Sequence, residues 1–363
     1  MNLGIPKGSR VVVAMSGGVD SSVTAALLVE AGYDVVGLTM QLYDTGAIMG
    51  KKGACCAGQD IYDARQVADR LGFAHYVLDY ESVFKQAVID DFADTYMAGY
   101  TPIPCVRCNQ RVKFQDLLKM SHELGGKVMA TGHYVRRLEG THGSELHRAC
   151  DYSRDQSYFL FATTQNQLNY VRFPLGEMPK TTVRAHATRF GLTVADKPDS
   201  QDICFVPNGD YAQVVINMRP EALKPGEIIH EDGRILGQHK GIVHYTIGQR
   251  RGLGVSFGEP LFVVKIDATN NRVIVGPKES LATHHIPIQE FNNLGGLTTH
   301  TPQPVHVKIR STQEPLPAFL TVHDDGRATA TLHKPEYGVS PGQACVFYEN
   351  DRVIGGGWIH SGL

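Results

Sequence analysis

From residue 11 to residue 134 the chain alternates short apolar runs with stretches whose apolar positions recur at helical spacing. Residues 11–15 (VVVAM) are β-branched and aliphatic throughout, the pattern of a strand buried on both faces. After a glycine-containing turn, residues 21–31 carry apolar positions three and four apart and stop at Gly32, a residue suited to a helix C-terminus. Residues 34–41 read as a second strand and 59–71 as an amphipathic helix ending at Gly72. The alternation continues with a strand at 75–80, helices at 81–97 and 111–124, and a strand at 127–134. Repeated strand–helix units of this length predict a parallel sheet covered by helices on both faces. Ligands of such doubly wound α/β sheets bind beyond the C-terminal ends of the strands.

The texture changes after Asp199. Helical periods fade, and Gly and Pro punctuate short segments at 224–227, 248–258 and 276–278. From Leu261 onward β-branched runs recur between turn signals, at 261–266, 272–275, 305–309, 328–332 and 344–348, with Asn270-Asn271 as a hairpin turn between the first two. That pattern predicts a small antiparallel β-barrel or sandwich. Three domains are therefore expected: 1–205, 206–260 and 261–363. The length of 363 residues agrees with a prior of roughly two to three domains.

Composition narrows the class. A hydrophobic fraction of 42% and a charged fraction of 20% describe a globular chain with ample core. Lys plus Arg number 35 against 37 Asp plus Glu, a net charge of −2, which excludes a strongly basic nucleic-acid coat but leaves room for a local basic patch. No apolar run approaches the roughly 18 residues of a membrane span, so no membrane association is expected. Seven cysteines, an odd number without a secretory leader, point to the reducing cytoplasm, where paired cysteines are more often catalytic or metal-binding than structural.

The first chemical motif follows the first strand. Ser16-Gly17-Gly18-Val19-Asp20-Ser21-Ser22 opens a helix directly after Ala14 and Met15. Two glycines let backbone N–H groups approach an anion, the helix N-terminus adds partial positive charge, and the hydroxyls can donate to phosphate oxygens. The bland alternative is a capped strand-to-helix turn. Neither the Walker A ending Gly-Lys-Ser/Thr nor the Rossmann glycine pattern is present. SGGVDSS resembles the pyrophosphate-binding loop of the N-type ATP pyrophosphatases, a resemblance that implies their PP-loop fold and a reaction in which ATP activates a substrate oxygen as an adenylate.

The second motif is Cys105-Val106-Arg107-Cys108. Pro102 and Pro104 hold the approach extended, so the cysteines are expected in a turn before the helix near Arg111, where Arg107, Arg111 and Lys113 favour a thiolate. Two buried, inert thiols are the alternative. A zinc site would need two further ligands, which the adjacent Cys55 and Cys56 cannot easily supply. Cys204, in SQDICFV, is the third candidate, while Cys150 and Cys345 carry no chemical signal around them.

SGGVDSS, CVRCN with VKF, ATGHY at 130–134, DQSYFL at 155–160, SQDICFV, YTIGQRRGLG at 245–254 and GQACVFY at 342–348 occur in one order. Together they are similar to the tRNA-specific 2-thiouridylases, which replace the 2-oxygen of a wobble uridine by sulfur. The resemblance implies that Ala14, Met15, Ser16, Gly17, Gly18, Val19, Asp20, Ser21, Met40 and Gly132 surround ATP, with Mg2+ accompanying it. It implies a persulfide on Cys204 with Cys108 as partner thiol, and tRNA contacts at His133, Arg154, Asp155, Gln156, Arg310, Ser311 and Gln343. Its implied partners are tRNAs for Lys, Glu and Gln and a sulfur-donor protein, either a cysteine desulfurase or a relay. The family usually has an Asp where this chain has Cys105. That departure raises an alternative in which Cys105, Cys108 and Cys204 hold a [4Fe–4S] cluster. Another PP-loop adenylating synthetase is the second alternative; it would need the loop but not the cysteines.

Overall fold

The computed structural model describes residues 1–43, 56–141, 143–199, 202–206 and 209–361. They form two compact units, one of residues 1–87, 105–205 and 351–353, the other of residues 88–104, 206–350 and 354–363.

The first unit is built on strands β1 (Arg10–Ala14), β2 (Asp34–Gln41), β3 (Ala74–Asp79), β4 (Val128–Thr131) and β7 (Val171–Arg172), with β5 (Val135–Gly140) and β6 (Gly143–Arg148) as an antiparallel hairpin. The five-stranded sheet has the order β3-β2-β1-β4-β7 and every pair in it is parallel. Val11, Val12 and Val13 are fully buried because β1 lies at the centre of the sheet, with both its edges paired and both its faces covered. Helix α1 (Val19–Glu30) follows β1 and is buried at nearly every position from Val19 to Leu28. It lies between the sheet and the helix Lys180–Arg189, whose Val183 and Ala187 share its core cluster. That second helix has few apolar residues among Thr, His and Arg, so its helical period is faint in the sequence.

The helix expected from residue 111 starts earlier. Pro104–Arg107 is already α-helical, Cys108–Leu117 continues with π geometry and Leu118–Glu123 returns to α. Proline suits a first helical position, where its missing N–H costs nothing. The two cysteines of the CxxC therefore sit on the helix rather than in a turn ahead of it.

In the second unit, β8 (Gly226–His230), β9 (Ile235–His239), β10 (Phe262–Asp267) and β11 (Arg272–Gly276) make a four-stranded sheet in the order β10-β11-β8-β9. The β10–β11 hairpin was expected to open the C-terminal barrel. Instead β11 pairs in parallel with β8, and Val263, Val273 and Val275 pack on Ile228. Local pattern identifies a strand but not a partner some forty positions upstream. The later strands are β12 (Ala282–Asn293), β13 (Gln303–Lys308), β14 (Leu316–Val322), β15 (Ala328–Tyr337), β16 (Ala344–Glu349) and β17 (Arg352–Ile359). They run β12-β15-β14-β13-β16-β17, and an antiparallel β12–β17 pairing closes them into a barrel around Ile286, Val307, Leu320 and Phe347. Among the described residues no helix is long and apolar enough to cross a membrane.

Candidate functional site

The phosphate-type loop lies at the C-terminal end of β1, the position at which parallel sheets receive ligands. Gly18 caps α1 without any side-chain hydrogen bond, so no side chain fills the helix N-terminus. The hydroxyls turn inward to fix the loop: Ser16 N–H donates to Ser21 Oγ at 3.2 Å, and Ser22 Oγ donates to the Gly18 carbonyl at 2.8 Å. Gly17 has φ +70°, and a Cβ there would lie 2.6 Å from Asp60 Cα, so only glycine fits. Gly132, beyond β4, comes equally close to α1; its Cβ would meet Ser21 N at 2.8 Å. Met15 N–H donates to the Leu38 carbonyl at 2.7 Å, and Met40 lies near the end of β2, within the same C-terminal edge.

Charged side chains surround the loop. Asp20 accepts hydrogen bonds from Tyr134 Oη at 2.7 Å and from Lys180 Nζ at 2.7 and 2.8 Å. Burial and then the neighbouring Asp20 carboxylate hold the Tyr134 phenol protonated, far above its ordinary pKa. Lys197 donates to the Gly17 carbonyl at 3.0 Å and to Asp60 at 2.7 Å. The sequence reading missed both lysines. Nothing in their local sequence marks them, because their partners in the loop, Asp20 and Gly17, lie 160 and 180 residues away.

Three cysteines share one environment. Cys108 is buried, while Cys105 and Cys204 are exposed at the surface, although protein atoms crowd around both. Burial raises the pKa of Cys105 and Cys108, with Lys113 opposing it. Cys204 is pushed up to about 12 by burial and by the other two thiols, through their thiolate forms. The expectation that Arg107, Arg111 and Lys113 would favour a thiolate is therefore corrected. Desolvation outweighs the one nearby cation that acts on all three thiols. For Lys113 itself burial disfavours the charge, but the three facing thiols win and raise its pKa. Lys113 follows Cys108 by five residues in the π-helical stretch, the spacing that i to i+5 bonding joins. Burial, aided by Lys113, lowers the pKa of His133 to about 3; its Nδ1 is 2.7 Å from Thr131 Oγ1.

A [4Fe–4S] cluster needs three ligands converging on one point. Among the described residues no three His, Cys, Asp or Glu side chains do so. An ammonium also sits among the thiols. The residues as arranged do not fit a cluster, and Cys55 lies outside the described residues.

The residues expected from the sequence to contact RNA fall into two groups. In the first unit, the Arg154 side chain is 43% exposed and donates to Asp199 at 2.9 Å. Asp155, expected beside it as an RNA contact, is instead an internal acceptor. Its side chain is 1% exposed and accepts from Ala149 N–H at 3.1 Å and Ser157 Oγ at 2.8 Å. Gln156 likewise shapes the fold, accepting from Tyr134 N–H at 2.9 Å. In the second unit, Arg310 and Gln343 line a cavity of about 470 Å³ together with Lys278 and Tyr337. Arg310 donates to the Gly338 carbonyl at 3.1 Å and Gln343 to the Thr101 carbonyl at 3.0 Å. Ser311, partly buried, lies in the turn after β13.

Comparison with known proteins matches three family profiles in succession. They are described as a tRNA methyl transferase HUP domain over residues 9–208, a tRNA methyl transferase PRC-barrel domain over 214–277 and an aminomethyltransferase beta-barrel domain over 283–359. A tRNA-specific 2-thiouridylase MnmA of Rhodospirillum centenum is 63% identical over 98% of this chain and 92% of its own length. The protein of that name from Paracoccus denitrificans is 60% identical over 99% of this chain and 94% of its own. Among solved structures, a 4-thiouridine synthetase–RNA complex with bound ATP aligns with TM-score 0.38 and 17% identity, over 56% of this chain and 47% of that one.

Proposed function

The chain belongs to the tRNA-specific 2-thiouridylase family, and from that premise we propose that it thiolates the wobble uridine of tRNA at C2 in an ATP-dependent reaction in the cytoplasm. The observation that carries this reading is a phosphate-type loop at the end of β1 in the same unit as Cys108 and Cys204, thiols from distant segments that both act electrostatically on Lys113. Thiolation needs both a place for a leaving pyrophosphate and a pair of thiols. Methyl transfer, the activity in two of the profile descriptions, needs neither.

A uridine carbonyl oxygen is a poor leaving group. The uridine O2 attacks the α-phosphorus of ATP, pyrophosphate departs, and C2 then carries AMP. The N–H groups at the start of α1 and the glycine loop receive the departing phosphates. Magnesium enters with the ATP as part of the substrate. A Cys204 persulfide, loaded by a sulfur-donor protein, attacks C2 with its terminal sulfur and AMP leaves. The Cys108 thiolate then attacks the Cys204 sulfur, which releases 2-thiouridine and leaves a Cys108–Cys204 disulfide. An external dithiol supplies the two electrons that reopen it. The high pKa of Cys204 suits this order, because a protonated thiol resists stray oxidation until a donor delivers sulfur.

The RNA substrates are tRNAs for Lys, Glu and Gln. Arg154 on the first unit, and Arg310 and Gln343 on the second, supply polar contacts. Ser311 beside Arg310 and His133, which Lys113 influences, complete the set. Nucleoside mass spectrometry of such a tRNA after incubation with the protein, ATP, magnesium and a persulfide donor tests the reading. It predicts 2-thiouridine that requires ATP and forms with iron-free protein. Folded protein that yields none with several tRNAs and donors would leave another adenylating synthetase as the better reading.

A further inference from the structure

The segment that carries Cys204 is tied to the phosphate-type loop by lysines that none of the sequence motifs contains. Lys180, with a side chain only 9% exposed, lies between two carboxylates. Its Nζ donates to both oxygens of Asp20, in the loop, and stands 2.8 Å from Asp199 Oδ1, five residues before Cys204. Asp199 is held in turn by Arg184 and Arg154, each at 2.9 Å. Two residues upstream of it, Lys197 reaches the Gly17 carbonyl at 3.0 Å. On the other side, Tyr43 Oη donates to the Cys204 carbonyl at 2.7 Å, and Phe205 packs edge-on against Phe84 with centroids 5.9 Å apart. Asp199, Cys204 and Phe205 are thus each held by the rest of the unit, and Asp199 is held through Lys180 to the loop itself.

We propose that Lys180 is a positioning residue that couples nucleotide occupancy of the loop to the placement of Cys204. The charge arrangement gives the reason. Asp20 places a carboxylate in a loop suited to phosphates, and the Lys180 ammonium offsets it. An arriving polyphosphate adds negative charge beside that ammonium and changes how it is shared between Asp20 and Asp199. Asp199 precedes Cys204 by five residues, so the hold on Asp199 bears on where Cys204 is placed. Coupling of this kind is reciprocal, so the state of the Cys204 segment also alters affinity for the nucleotide.

The inference rests on the reading that the loop binds ATP and that Cys204 reacts. The test keeps the two separable. The rate of Cys204 alkylation by iodoacetamide at pH 9 is followed by peptide mass spectrometry, with and without saturating magnesium and α,β-methylene ATP. Binding of the analogue is measured separately by calorimetry. In the wild type the analogue is expected to change the rate by at least about fivefold, the lower end of ordinary coupling between sites. Lys180→Met is expected to bind the analogue more weakly and, once saturated, to show less than about a twofold change. Lys180→Arg keeps the cation and the coupling. If Lys180→Met does not fold, Asp199→Asn carries the same comparison. A wild-type-sized nucleotide effect in folded Lys180→Met would mean that the nucleotide merely shields Cys204, and would overturn the proposal. Binding of the analogue with no effect on wild-type Cys204 would overturn it too. Failure of the wild type to bind the analogue would overturn the ATP reading itself, and this inference with it.

Discussion

Replacing Gly17 by alanine tests the phosphate loop at its tightest point. Gly17 has φ +70°, and an added Cβ would stand 2.6 Å from Asp60 Cα and 2.7 Å from the Asp60 carbonyl carbon, both in the backbone of the helix Cys56–Leu71. A left-handed conformation costs an alanine about 1–2 kcal/mol. Forcing loop and helix backbone apart adds about 1–3 kcal/mol. The sum, about 2–5 kcal/mol, lowers the melting temperature of a unit this size by on the order of 10 °C. The neighbouring glycine provides the control. Gly18 has φ −90°, and its Cβ would meet only Ser16 Oγ at 3.6 Å, an ordinary contact. Gly18→Ala should therefore melt close to the wild type. Thermal unfolding and calorimetric titration with α,β-methylene ATP check both variants. Gly17→Ala is expected to lose stability and to bind at least about tenfold more weakly, because a loop displaced by an ångström no longer meets the phosphates. If the two variants behave alike, or Gly17→Ala melts within about 2 °C of the wild type (no more than about 1 kcal/mol for such a unit), the steric account of the loop is wrong.

Three further outcomes follow from the site. With its pKa pushed up to about 12 from an ordinary 9.0, Cys204 should alkylate about a thousandfold more slowly than an ordinary thiol at neutral pH, and its rate should climb tenfold per unit through pH 10; a plateau below pH 9.5 would contradict the burial argument. Cys108→Ser and Cys204→Ser should each abolish 2-thiouridine formation, whereas Cys105→Ser should keep more than about a tenth of it, since the persulfide route uses two thiols; equal loss in all three would bring the third thiol into the chemistry. The pKa of His133 falls from 6.5 to about 3 in the folded protein, so between those values the unfolded chain binds a proton that the folded one refuses. Its contribution to stability is complete above pH 6.5 and declines as pH falls, at up to about 1.4 kcal/mol per unit. Urea unfolding at pH 7 and pH 5 should show a shallower acid loss in His133→Gln, and an unchanged slope would refute the assignment.

The sequence alone determined what depends on neighbours along the chain. Three consecutive valines at 11–13 specify a buried central strand wherever the sheet forms, and the two glycines before α1 specify a turn that brings backbone N–H groups to an anion. The CxxC was legible as candidate chemistry for the same reason, since residue type and spacing are local, whereas the SQDICFV segment drew its meaning from the family resemblance alone. Tertiary structure decided whatever depends on distant segments. The partner of the β10–β11 hairpin is β8, because strand pairing is settled by where the edges meet. Asp155 turned inward because Ala149 and Ser157 offered it donors. The thiols beside Arg107, Arg111 and Lys113 look activated in sequence, yet the fold surrounds them with protein, and desolvation exceeds the pull of the lysine they share. Lys180 gives no local signal at all. It joins the loop to the Cys204 segment only because the chain brings Asp20 and Asp199 to either side of one ammonium, and a buried charge needs partners wherever they come from in the chain.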